Sequence, residues 1–173
     1  LTTILEAIRD GVRLRVTHQG FSKSEAKSVT IAPYGLTVFK QRWYVLAQSE
    51  YPDGRLLVYS LDRFIEVERT DISYTIPSDF DINEHSRSFY GVSSLSNAQP
   101  EIVQLRIDAS QVKFFRTLPL HHSQEEIETR DAYSVFQYYL VPTFELTKEI
   151  LSNGPYVEVL LPLSLREEIK SKA

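Results

Sequence analysis

The sequence has no cysteine. That excludes a disulfide framework and a thiolate metal site. It has no methionine either, and it starts at Leu1. A piece of something longer is therefore expected. No run of about 18 apolar residues occurs, so no membrane-spanning helix is expected. No secretory signal pattern opens the chain, and a cytoplasmic location is the default expectation. There is no basic excess: 19 Lys+Arg stand against 23 Asp+Glu, a net charge of −4. Broad electrostatic binding of duplex DNA by this chain alone is disfavoured. Neither standard Gly-rich phosphate loop is present, nor a Gly-x-Ser-x-Gly elbow. The four His are scattered, and His121-His122, on a strand, would point opposite ways rather than share a metal. No catalytic residue, metal or cofactor is assigned, and an enzyme is not expected.

What is present fits a folded protein of one or two domains. Of 173 residues, 42% are hydrophobic and 24% charged. Charge is uneven: residues 1–78 carry a net +1 and residues 79–173 a net −5. A polyanion, if bound, belongs to the first half.

Leu1, Ile4, Leu5 and Ile8 form one helical stripe, with Thr3 and Glu6 spaced as a capping box and Gly11 as exit. Val12, Leu14 and Val16 then alternate with Arg13, Arg15 and Thr17, a half-buried strand with His18 at its end. Further strands are expected at Lys27–Ala32 (ended by Pro33), Thr37–Lys40, Gln41–Gln48, Arg55–Leu61 and Phe64–Glu68. Tight turns fall at Lys40-Gln41 and Tyr51-Pro52-Asp53-Gly54. One helix and about five short strands suggest a small, strongly bent antiparallel barrel. Trp43 reads as core.

A boundary falls at Pro77-Ser78, and one helical turn is expected at Phe80–Glu84. From Glu101 the order is strand, helix, hairpin, helix, strand, with a last helix whose cap is Ser164 with Glu167. That βαββαβ order is the ferredoxin-like arrangement. The fold class is α+β, with domains at 1–78 and 79–173.

Ile31-Ala32-Pro33-Tyr34-Gly35-Leu36, Arg42-Trp43-Tyr44-Val45-Leu46-Ala47, Arg55 and Leu61-Asp62-Arg63-Phe64 resemble the WYL-domain family. Val45 stands at the third position of its naming triplet, and His18 where the family usually shows Tyr. Phe89-Tyr90-Gly91-Val92, Ser123-Gln124, Asn153-Gly154 through Val159, and Pro162 with Leu165-Arg166 resemble the C-terminal extension attached to such domains. The resemblance implies an Sm-like, SH3-type barrel acting as sensor for a bacterial transcription regulator. Duplex DNA would be read by an N-terminal winged helix-turn-helix lying outside this sequence. It implies a nucleotide or single-stranded nucleic acid as ligand, and dimer contacts through the extension.

The residues support part of this on their own. On regular strands Arg55, Tyr59 and Arg63 share one face, and Arg42 with Tyr44 another. Guanidinium groups offer forked donors to phosphate, and Tyr rings offer stacking platforms to bases. The candidate ligand site is therefore Arg42, Tyr44, Arg55, Tyr59 and Arg63, with His18 beside it. Its rivals are solvated arginines around half-buried sheet tyrosines, and an interaction or homodimerisation module without a small ligand.

Overall fold

The computed structural model describes residues 1–20, 25–50, 54–92 and 98–172. They fall into two compact units: Leu1–Ile82 with Val92, and Asn83–Gly91 with the residues from 98 onward. The turn expected at 51–54 lies, but for Gly54, outside the described residues.

The first unit begins with helix α1 (Thr2–Asp10), which buries Ile4 and Ala7 and ends on Gly11 at φ +62°. The expected capping box does not form. The helix starts two residues earlier, with Leu1 at its N-cap; Leu1 C=O accepts from the Ile4 and Leu5 amides, and Thr3 lies inside. Five strands follow: β1 (Val12–His18), β2 (Lys27–Phe39), β3 (Arg42–Ser49), β4 (Leu56–Ser60) and β5 (Phe64–Ser73). All pairings are antiparallel, in the order β4-β3-β2-β1-β5. The inner face carries Leu14, Val16, Ile31, Val45 and Ala47, packed with Ile4 and Ala7 into one core.

Two expectations about this sheet change. The strand expected to stop before Pro33 continues for 13 residues. It can do so because the β1–β2 ladder ends at Leu14↔Ile31, so Pro33 pairs only with Ala47 of β3, and a register shift follows at once. The closed barrel is also corrected. No ladder joins β4 to β5 among the described residues; a 3-10 turn, Leu61–Arg63, takes the chain from one sheet edge to the other. The sheet is nonetheless strongly curled. In a flat sheet β4 and β1 would lie three strand spacings apart, about 14 Å. The rings of Tyr59 on β4 and His18 on β1 are 5.5 Å apart.

Lys40 and Gln41 both have positive φ, at 45° and 65°, the two-residue turn expected between β2 and β3. Trp43 is not core; it is 46% exposed. It shares the inner face with Val45 and Ala47, but the hairpin tip carries it past the packed region. On the outer face Tyr34 stacks on Tyr74 at 6.1 Å and meets Phe80 edge-on at 5.0 Å. A Cβ at Gly35 would meet Ile82 Cδ1, so a side chain there would require that methyl to move.

The second unit contains the rest of a short helix α2 (Ile82–Arg87), then β6 (Glu101–Asp108), α3 (Ala109–Thr117), β7 (Glu125–Thr129), β8 (Tyr133–Leu140), α4 (Phe144–Ser152), β9 (Val157–Leu161) and α5 (Leu163–Lys172). The sheet order is β7-β8-β6-β9, so each βαβ pair straddles a strand of the other. Strand β6 alternates strictly: Val103, Leu105 and Ile107 are buried, the residues between them not. Asp108 caps α3 through Ser110 N–H at 3.0 Å, and Thr143 caps α4 through Leu146 N–H at 3.2 Å. Ser164 does not cap α5; it lies within the helix.

Candidate functional site

Register decides which candidate residues meet. Residues directly opposite in an antiparallel pair share a face. Tyr44 lies opposite Ser60, and Tyr59 opposite Val45. Tyr59 is therefore on the inner face and Tyr44 on the outer one. The six expected residues do not form one cluster.

The inner face brings two of them together and adds a third side chain. His18 stands edge-on to Tyr59, and the Tyr59 ring lies 6.2 Å from that of Phe64. All three are half-buried at the mouth of the curl. His18 pairs across the ladders with Lys27 on one side and Phe64 on the other. Phe64 was legible as the last residue of Leu61-Asp62-Arg63-Phe64 and the start of a strand; no periodicity placed it beside His18 and Tyr59.

The outer face holds a different group. Arg42 Nη1 donates to Asp62 Oδ2 at 3.2 Å, and the Ser60 hydroxyl donates to Asp62 Oδ1. The Ser60 hydrogen bond, helped by the Arg42 charge, holds the Asp62 carboxyl below its usual range. Arg42 thus ties β3 to the 3-10 turn. Arg55 and Arg63 have exposed side chains. Their carbonyls hold the fold: Arg55 C=O accepts from Ser49 N–H at 3.2 Å, and Arg63 C=O from Gln19 N–H at 3.1 Å.

What the inner group can do is stack. A phenol, a phenyl and an imidazole lie together on this face, the phenol and phenyl resting on the core, with Lys27 beside them and Arg63 next in sequence to Phe64. Flat rings suit a base, and nearby cations suit a phosphate.

The adjacent histidines of the second unit also depart from expectation. They lie in a turn, not a strand, and both Nε2 atoms reach Arg87 C=O, at 2.6 Å and 2.9 Å. His121 Nδ1 meets the Ser123 hydroxyl at 2.7 Å and amide at 3.3 Å. A neutral ring donating from Nε2 fits these partners. Burial pushes the His121 pKa below its usual value, with the neighbouring His122 and Arg87 charges acting the same way against the Arg87 carbonyl. His85 is lowered by burial too. The unfolded chain then binds protons more readily than the folded one just below the ordinary histidine pKa, so stability rises with pH there. We expect unfolding free energy, measured in urea, to fall as pH drops below about 6.5. His121→Gln should flatten that dependence, and an unchanged slope would refute the assignment.

Comparison with known proteins gives two family matches. Residues 1–69 match the model of the WYL domain, and residues 99–173 that of the WCX domain. Among solved structures, the chain is similar to proteasome accessory factor B/C (PafBC) of Arthrobacter aurescens, at 19% identity and TM-score 0.46, over 97% of this chain and 25% of that one. It is similar to a CRISPR Cas-related protein at 14% identity and TM-score 0.54, over 98% of this chain and 49% of that one. The second likeness is one of fold. The chain spans about half the length of that structure or less of the other. A search of the curated proteins finds no match.

Proposed function

This chain belongs to the WYL-domain family, with a WYL domain followed by a WCX domain, and we propose from it that the protein is the ligand-sensing part of a transcription regulator. The ligand is a nucleotide or a short single-stranded nucleic acid. It stacks on His18, Tyr59 and Phe64 and is held at phosphate by Lys27, Arg55 and Arg63. The observation that carries this reading is the ring cluster at the mouth of the curl, with centroids 5.5 and 6.2 Å apart. The net positive first half supports it. Arg42 and Tyr44, on the opposite face, are left out of the site. Binding regulates only if it favours one of two arrangements of the regulator, which requires different affinity for each.

The test is a salt-titrated anisotropy assay with a labelled oligothymidylate. Tyr59→Ala should weaken binding about tenfold, since a stacked ring contributes roughly 1–3 kcal/mol. Arg63→Ala should lower the salt slope by about one. Arg42→Ala should bind as the parent does. Parent-like binding by the first two variants, or loss in the third, would overturn the site.

A second reading is supported by the open face of the second sheet. Ile102, its cross-strand partner Tyr139, and Leu161 are all substantially exposed there. That surface suits a homodimer contact. A single monomeric species in sedimentation at every concentration would end this reading.

A further inference from the structure

The second unit contains a cavity of about 330 Å³ at the end of its sheet, bounded by β6, β8 and the 3-10 turn Gly154–Tyr156 before β9. Arg106, Asp108, Tyr133, Pro155, Tyr156 and Glu158 line it. The volume is at the small end of ligand sites. We propose that this cavity binds a neutral, planar heterocycle of the nucleobase class.

The charge balance comes first. Arg106 is ion-paired with Glu158 Oε2, and Arg166 Nη2 donates to Glu158 Oε1 at 2.9 Å. With Asp108 these groups sum to zero. An added phosphate would face two carboxylates, and an added ammonium two guanidinium groups. Neither sign of net charge is favoured.

The walls come second. Tyr133 and Tyr156 present flat rings and Pro155 an apolar one, and Tyr156 is 48% exposed. The Arg106 guanidinium lies 5.4 Å from the Tyr133 ring centre, which fixes that wall. Flat walls select a flat guest.

The polar groups come third. Arg106 commits one nitrogen to Glu158, and a guanidinium has five N–H donors in all. Asp108 spends Oδ1 on the Ser110 amide and hydroxyl, at 3.0 and 2.6 Å, and keeps Oδ2 as an acceptor. The two residues are neighbours on one face of β6. A guest that offers both an amino group and a ring or carbonyl acceptor on one edge matches this pair, and a nucleobase has such an edge.

This proposal does not depend on the site of the first unit. There, cations flank the rings and suit a phosphate; here the charges balance and a phosphate gains nothing. The test is titration of the full 173-residue chain with adenine, cytosine and their 5′-monophosphates, followed by the ring resonances of Tyr133 and Tyr156. At least one free base should shift those resonances saturably, and more tightly than its monophosphate. Tyr156→Ala should weaken that binding about tenfold. Asp108→Asn, which retains the ability to cap α3, should weaken it as well. Tyr59→Ala should leave it unchanged. No saturable shift with either base, equal binding by Tyr156→Ala, or tighter binding of the monophosphate would each overturn the proposal.

Discussion

Gln124→Ala should cost the second unit about 3–4 kcal/mol, more than many apolar truncations, although the residue is only half-buried. Its side chain closes three hydrogen bonds. Oε1 accepts from Leu120 N–H at 3.2 Å and from the Tyr138 hydroxyl at 2.9 Å, while Nε2 donates to Phe115 C=O at 2.7 Å. Tyr138 is 1% exposed, and burial drives its phenol pKa well above the ordinary value. Removing the amide strands a hydroxyl, an N–H and a carbonyl together, each costing roughly 1–3 kcal/mol where water cannot replace it. Tyr138→Phe alone should cost only about 1 kcal/mol. In the Gln124→Ala background it should cost nothing or restore stability, because the stranded hydroxyl is then gone. Urea unfolding of the four proteins measures the cycle. A loss below about 1 kcal/mol for Gln124→Ala would show that the network is not closed in solution.

Gln124 also shows what a sequence can and cannot display. It stood out as part of the Ser123-Gln124 stretch, but its role depends on a turn, a helix end and a strand meeting at one amide. The elements themselves were legible where alternation was strict, as in Leu14-x-Val16 and in Val103, Leu105 and Ile107. The register between β3 and β4 was not. A slip of one residue exchanges the two faces of a strand. Tyr44 opposite Ser60 sends Tyr59 inward, and no local pattern distinguishes that from Tyr44 opposite Tyr59. The same limit applies to Trp43. Its parity with Val45 and Ala47 is readable, whereas the point at which the core ends is set by α1, which covers Leu14 and Ile31 but not the hairpin tip. Pro33 was read as a strand end because it has no N–H to donate to a ladder. It is tolerated because β1 had already stopped pairing.

Leu14→Ala should destabilise the first unit by about 3 kcal/mol, within the range of 2–5 for a buried leucine. Leu14 is fully buried, lies between Ile31 on β2 and Arg69 on β5, and packs in the core that holds Ile4 and Ala7. The backbone of β1 is held on both sides, so the site cannot collapse to fill the space, and the cavity term adds to the lost transfer energy. The effect on ligand should be small by comparison. His18 is four residues further along the same face, at the mouth of the curl rather than its middle. At low temperature, where the variant remains folded, oligonucleotide affinity should stay within about twofold of the parent. Arg63→Ala should do the reverse, leaving urea unfolding nearly unchanged and reducing binding, since its side chain is exposed. A strand that alternates as β1 does can divide its labour in this way, with Leu14 and Val16 shaping the curl and His18 using it. A loss of affinity in Leu14→Ala in proportion to its loss of stability would show that support and site are one object. The ring cluster would then be part of the core and not a place for a guest.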